Sequence, residues 1–341
     1  MIRIVTDNGK HRLPFYLALE EWVARCMPDA EYLFAWRVEP TVIFGRNQNP
    51  ALEVNLEYCR EHDIQVYRRR SGGGCVYADM DNLMISYITP RTDVATTFSS
   101  YTSRIAEVLR GLGVPAEATG RNDVAISGRK VSGNAFYHLP RHSIVHGTML
   151  FSTNMAHMLN AITPSRSKLH SKQVASVESR ITTLSEHLKD LSIDDFEEHL
   201  YSQLTDTEYA LTPEDIAAVE AIEAKYYELA WIFGKTGLLY SPKSDMRVRR
   251  RFPGVGELDM IVSTCHGIIS GVDITGDFFL LSDLDSSLID KLKGCELKRS
   301  VLEKALSDTD VQNVISGLQT GDFVDFLLSA KSPVHNTLIE K

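Results

Sequence analysis

The sequence predicts an α+β fold: a large domain built on a mixed β-sheet flanked by helices, followed by a small α+β C-terminal domain. Three observations carry that prediction. Amphipathic and β-rich stretches follow one another as strand, helix, strands, helix, strands, the order of a mixed sheet in an α+β or α/β chain. Three consecutive glycines, Gly72–Gly74, join two β-rich runs, so strand–loop–strand stands where a helix-opening glycine loop would have a helix. After Tyr226 the character changes, through a Gly-, Ser- and Pro-containing stretch at 235–243, which predicts domains at 1–242 and 243–341.

Taken in order, Pro14 opens a helix whose Phe15, Ala18, Leu19, Trp22 and Cys26 form a stripe to bury against a sheet. Tyr32–Trp36 and Thr41–Phe44 read as short strands, and Gly45–Pro50 as a polar loop able to present groups to a ligand. A short helix from Leu56 to His62, capped by Asn55, leads into the strand that carries Arg68, Arg69 and Arg70. From Thr97, Phe98, Tyr101, Ile105, Val108, Leu109 and Leu112 mark an amphipathic helix closed by Gly113. Two β-like runs flank Ser127-Gly128 and place Lys130 on a hairpin arm; residues 141–152 form a further strand. Helices are predicted at Asn154–Ala161, at Ser192–Gln203 with a Ser192/Asp195 capping box, and after Thr212 with Pro213 first. The C-terminal region predicts a hairpin, Gly256–Val262 and Ile268–Thr275, turning at His266-Gly267. Three short helices follow, the second with a Ser300/Glu303 capping box.

The composition narrows the function. The chain has 341 residues, 43% of them hydrophobic, no apolar run long enough to cross a bilayer, and no apolar leader at its N-terminus. Five scattered cysteines without CxxC spacing fit reduced thiols in the cytoplasm. A net charge of −9 argues against a general nucleic-acid binder. Any basic function is therefore local, and the glycine block beside Arg68–Arg70 is one such place. Backbone approaching an anionic ligand explains adjacent glycines; a tight hairpin turn beside a solvated basic strand is the other explanation. Arg247, Arg249 and Arg251 alternate at the head of the small domain. If extended, they share a face that asks for an anionic neighbour or is a charged, solvated edge. With Lys130 before Ser132-Gly133, these features point to a phosphate-bearing ligand and electrostatic catalysis.

Three blocks, RRRSGGGCVYAD with the following Asn82-Leu83, GRNDVAISGRKVSGNAF and HGTML, together resemble lipoate–protein ligase of the biotin/lipoate ligase superfamily. GVGELDM and GDFF in the small domain extend the likeness over most of the chain. The resemblance implies a two-step enzyme. Lipoate attacks the α-phosphorus of ATP to give lipoyl-adenylate, and the acyl group then passes to a lysine of an apo lipoyl domain, in 2-oxoacid dehydrogenase E2 subunits or the glycine-cleavage H protein. It implies Mg²⁺ with ATP, no tightly bound cofactor, and neither nucleic acid nor membrane as partner.

Matched by motif, Lys130 is the catalytic lysine that contacts both carboxyl and phosphate. Arg69 lies at the phosphates; its neighbours Arg68 and Arg70 alternate to the other side and read as solvated. Ser71, Gly72, Gly73 and Gly74 line the nucleotide floor, and Gly74, Cys75, Val76 and Tyr77 its strand edge, with Cys75 as packing and not a nucleophile. Asn122 and Asp123 belong to the same site; Asp123 is left to orient adenine or ribose or to hold Mg²⁺. Lipoate contacts fall to Lys130, Trp36 (a wall of the acyl pocket or core packing), Ser132, Gly133, Ala135 and His146, the last as a structural hydrogen-bonding residue. Ala78 and Asp81 depart from the family's usual His and Gly. An ATP-independent octanoyl or lipoyl transferase of the same fold, or a non-catalytic lipoyl-domain or adenylate-binding module, is the alternative; the biotin ligases' GRGRxG-like loop is absent.

Overall fold

The computed structural model describes residues 1–6, 11–91, 93–119, 122–162, 180–234 and 245–330. The 235–243 stretch and the boundary at 242 lie outside them. The chain divides into two units. One comprises Met1–Phe44, Pro50–Arg70 and Cys75–Ile232, the other Gly45–Asn49, Ser71–Gly74 and Phe233–Lys341.

In the first unit the order is β1 (Ile2–Val5), α1 (Leu13–Cys26), β2 (Tyr32–Trp36), β3 (Thr41–Phe44), α2 (Pro50–Glu53), α3 (Leu56–Glu61), β4 (Gln65–Arg68), β5 (Val76–Ala78) and β6 (Asn82–Thr89). Then come α4 (Val94–Gly111), β7 (Ala116–Thr119), β8 (Asp123–Ile126), β9 (Arg129–His138), β10 (Ser143–Leu150), α5 (Met155–Ile162), α6 (Ile193–Leu204), β11 (Thr207–Ala210) and α7 (Pro213–Glu223). Eight strands form one mixed sheet, ordered β11-β1-β2-β6-β10-β9-β8-β7, with β1 parallel to both its neighbours. A second sheet, β4-β3-β5, leaves β5 as an edge strand.

Period-two alternation divides the large sheet into two faces. Leu33, Leu83, Ile85, Tyr87, Phe136, Val145 and Met149 pack with Phe98, Tyr101, Ile105 and Leu109 of α4 and Phe196 and Leu200 of α6. The residues between them point the other way, and the register aligns them in rows. Trp36, Met84, Thr148, Gly133 and Asp123 form one row, and Phe34, Ser86, His146 and Ala135 the next. That second face carries the polar groups.

Local signals account for the helix ends. Asp93 caps α4 by accepting from Thr96 N at 2.7 Å, so the helix starts at Val94, ahead of the predicted Thr97. Asn55 caps α3, Ser192 and Asp195 form a capping box on α6, and Thr212 caps α7 with Pro213 in its first turn. Helix α1 departs from its predicted stripe: every residue from Leu13 to Ala24 is buried, Glu20 and Glu21 included.

In the second unit β12 (Asp245–Phe252), β13 (Gly256–Cys265) and β14 (Ile268–Gly276) form an antiparallel sheet. Its hairpin turns at His266 and Gly267, both at positive φ (51° and 80°) as a tight turn there requires. Leu258, Met260, Val262 and Ile274 pack with Leu302, Leu306, Phe323 and Phe326. The Ser300/Glu303 capping box is not formed. The helix begins at Arg299 after Lys298, which places Ser300 inside it, and Glu303 accepts from Arg299 instead.

Candidate active site

Lys130 enters the polar face from the β8–β9 hairpin, whose turn places Ser127 and Gly128 at positive φ. Its backbone is fixed from both sides: Lys130 N donates to Arg180 O at 2.8 Å, and its carbonyl accepts from Thr182 N at 2.9 Å. The side chain lies across Gly133, where a Cβ would overlap Lys130 Cε and Nζ. Nζ sits 2.8 Å from Asp123 Oδ1, and Asp123 is the register partner of Gly133. Lys130, Asp123 and Gly133 thus come together at one place on the sheet.

Asn122 and Ser132 serve differently. Asn122 Nδ2 donates to Asn134 O, while Asn134 Nδ2 donates to Asn122 O at 2.8 Å and to Ser132 Oγ at 3.3 Å. Ser132 pairs with Met149, on the α4-facing side of the sheet, opposite to Gly133. Asn134 was not foreseen. Its signal is Gly147: any Cβ there would overlap the Asn134 carboxamide.

Further along the same polar face, Trp36 Nε1 donates to Ser86 Oγ at 2.9 Å, and Ser86 donates to Glu20 Oε1 at 2.6 Å. His146 Nδ1 lies 2.8 and 2.9 Å from the two Glu20 oxygens, and Tyr137 Oη donates to Oε2 at 3.1 Å. Trp36 stacks on Tyr16 with centroids 4.9 Å apart. Trp36 and His146 are therefore tied through Ser86 and the fully buried Glu20. Ala135, level with His146, adds no bulk beyond its methyl. Burial first, and then the charge of Glu20, push the Tyr137 hydroxyl far above its usual range, which keeps it a donor. Glu20 escaped the sequence reading because helical spacing alone does not show a helix buried on all sides. The only hint was a pair of acids in an otherwise apolar turn.

The arginines separate by partner. Arg69 donates to Ile43 O at 3.0 Å, and burial pushes its guanidinium down to about 10 against the raising charge of Glu20. Arg68 and Arg70 are not the solvated pair the alternation suggested. Arg68 is buried, stacks on Phe44 and donates from Nε to the carbonyls of Trp231 and Ile232 at 3.0 and 2.9 Å. Arg70 pairs with Glu21 at 2.7 Å, which also holds Lys225, Arg25 and the Tyr226 hydroxyl. Both point into packed structure, because β4 lies beside β3 within the unit and Glu21 of α1 is buried. Cys75 and Val76 are half-buried and Tyr77 buried on the edge strand β5, and the Tyr77 hydroxyl has no partner among the described residues. Burial pushes the Cys75 thiol well above its usual range, which leaves it protonated.

In the second unit the glycine block meets backbone. Gly73, at φ 88°, donates to Phe278 O at 3.2 Å, and a Cβ on Gly72 would overlap that same carbonyl. Asn47 Nδ2 donates to Phe278 O at 3.5 Å, and Gly276 N to Asn47 O at 2.8 Å. Ser71 O accepts from Arg46 N at 2.9 Å, while a side chain on Gly74 would meet only open space. Close approach explains Gly72 and a positive φ explains Gly73, but here the approaching group is the Phe278 backbone. Among the described residues no three His, Cys, Asp or Glu side chains gather as metal ligands. No helix among them is long and apolar enough to cross a membrane.

The chain resembles known proteins over most of its length. Residues 13–205 match the lipoyl protein ligase A/B catalytic domain, and residues 241–327 the bacterial lipoate protein ligase C-terminus. The chain is 34% identical over 322 residues to lipoate-protein ligase LplJ of Bacillus subtilis, covering 91% of this chain and 95% of that one. Among solved structures it resembles P. falciparum LipL1 in complex with lipoate, with a TM-score of 0.75, 20% identity and 96% and 98% of the two chains covered. It also resembles a lipoate-protein ligase A bound with ATP, with a TM-score of 0.58, 22% identity and 69% and 97% covered. At these identities the two structures speak for the fold.

Proposed function

The chain belongs to the lipoate–protein ligase family of enzymes, and from that premise we propose that it joins free lipoate to protein in two steps through an acyl-adenylate. Residues 1–242 act as the adenylating domain and 243–341 as an accessory domain. In the first step the lipoate carboxylate attacks the α-phosphorus of ATP, forming the mixed anhydride and releasing pyrophosphate. In the second, the amine of a lysine on an apo lipoyl domain attacks the acyl carbon and AMP leaves. The acceptor would be a 2-oxoacid dehydrogenase E2 subunit or the glycine-cleavage H protein, in the cytoplasm, where free thiols persist.

The observation that carries this reading is the Lys130 seat. A carboxylate approaching a phosphate concentrates negative charge, and an ammonium held at that point stabilises the transition state more than the separated reactants. Lys130 has a fixed backbone and a side chain cleared by Gly133, on the face where Trp36, Met84 and Ala135 supply apolar surface for an acyl chain. The Glu20 network holds Trp36 and His146 in place at that surface. Arg69, whose charge burial disfavours, would be stabilised by an anion such as a phosphate. Mg²⁺ would arrive with ATP and be held mainly by its phosphates, as that ion's preference for phosphate and water oxygens allows. The test mixes protein, ATP, Mg²⁺, lipoate and an apo lipoyl domain, and weighs the domain. A gain of one lipoyl group that needs ATP is the expected result; a gain without ATP would move the chain to the transferases.

A further inference from the structure

We propose that Asp123 is the resting counter-ion of Lys130: a positioning residue that holds the ammonium over Gly133 until an anionic group of the substrate takes its place. The inference rests on the adenylating role given to Lys130 above and assigns Asp123 to that lysine instead of to Mg²⁺, adenine or ribose.

Three features build the seat. A register shift between Val124 and Ala125 sets Asp123 opposite Gly133 and Ala125 opposite Lys130, so the carboxylate meets the lysine's far end and not its stem. Gly133 keeps the path between them clear. Both backbones are fixed, Lys130 by Arg180 and Thr182, and the turn before Asp123 by the Asn122–Asn134 clamp. Only the two side chains are left to move.

The contact itself suits exchange. Nζ and Oδ1 are 2.8 Å apart, yet Asp123 Oδ1 is buried without a hydrogen bond of regular geometry. The pair is thus a close charge contact without the alignment of a full charge-assisted hydrogen bond. Lys130 is 42% and Asp123 34% exposed at the side chain, so a substrate phosphate or carboxylate reaches the ammonium from solvent. An ion pair this exposed is weak enough for a bound polyanion to displace.

Two anions then compete for one cation, which fixes the sign of the effect. Without its carboxylate partner, Lys130 binds the substrate anion more readily but is no longer held at the reacting position. For Asp123→Asn, lipoate-dependent pyrophosphate release from Mg-ATP should show a KM for ATP about 2- to 5-fold lower. Its kcat should fall about 10-fold or more through lost positioning. The Mg²⁺ requirement should be unchanged, and Asp123→Glu should restore part of kcat. Gly133→Ala, which dislodges the ammonium without altering either charge, should also lower kcat, and it reads the positioning if Asp123→Asn fails to fold. Binding of inorganic pyrophosphate to Asp123→Asn, followed by calorimetry, should tighten by the same factor as KM falls. A KM that rises, with or without a greater need for Mg²⁺, would make Asp123 a metal or nucleotide contact and overturn the proposal. An unchanged kcat in both Asp123→Asn and Gly133→Ala would do so too. If the unaltered protein releases no lipoate-dependent pyrophosphate, the ligase reading itself fails, whereas pyrophosphate binding still reports on the ion pair.

Discussion

Gly147 and Asn134 show how one residue can set the shape of a site it does not touch. The Asn134 carboxamide occupies the space that a side chain at Gly147 would need, and from there it holds Asn122 and Ser132. Gly147→Ala therefore forces a methyl against a buried amide, and overpacking of this kind costs about 1–3 kcal/mol. Thermal unfolding should show it as a midpoint several degrees lower. Asn134→Ala added to Gly147→Ala should return part of that loss, because the pair compete for one space. A purely additive double variant would mean that the two side chains do not meet. Neither residue announces itself in the sequence, where a glycine in a strand signals only close approach to something. Lys130, by contrast, stands out in the sequence, since its Ser-Gly neighbours and the glycine block upstream form a pattern of residue types and order that needs no knowledge of contacts.

Helix α1 is where the element scale departs most from its sequence. An amphipathic stripe was visible; that the opposite side is also buried was not, because the groups that bury it come from distant segments. Glu21 meets Lys225 from 204 positions away and Arg70 from 49. Burial alone would raise its carboxyl; the Lys225 hydrogen bond and the charges of Arg70 and Lys225 outweigh it and bring the value down to about 2 from an ordinary 4.5. A carboxyl depressed on folding stabilises the fold above its unfolded value and loses that contribution as pH falls toward the folded one. The share of stability due to Glu21 should thus be complete above about pH 4.5 and fade toward pH 2. Between about pH 6 and about pH 3, the unfolding midpoint of Glu21→Gln should fall less than that of the unaltered protein. Equal falls would contradict the assignment. Strand β12 teaches a related lesson. Its alternation correctly put Arg247, Arg249 and Arg251 on one face, but their anionic neighbours are Asp259, Glu257 and Asp277 of the same small unit. Changing all three arginines to glutamate should lower the midpoint by repulsion against those acids. Added salt should return part of the loss, and a midpoint unmoved at low salt would show the ladder to be idle.

At the scale of the whole molecule, the α+β class, most helix starts and the small C-terminal sheet follow from periodicity, caps and turn residues, all of which act over a few neighbours. What the sequence withheld is long-range. The Glu20 network spans Ser86, Tyr137 and His146, and the glycine block meets Phe278; periodicity reports that a face is buried but not by what. The alternation of the eight-stranded sheet sorts the first unit's groups: one face is given to the core with α4 and α6, the other to Lys130, Asp123, Trp36 and His146. The chemistry proposed for this second face is formation of an acyl-adenylate. The most direct measurement is exchange of labelled pyrophosphate into ATP, which proceeds only if adenylate formation is reversible on the enzyme. Exchange should require lipoate and Mg²⁺ and be lost in Lys130→Ala, while that variant's unfolding midpoint stays within about a degree or two, as for a partly exposed strand lysine. Exchange at a normal rate in Lys130→Ala, or none in the unaltered protein while it still lipoylates an acceptor domain, would contradict that chemistry.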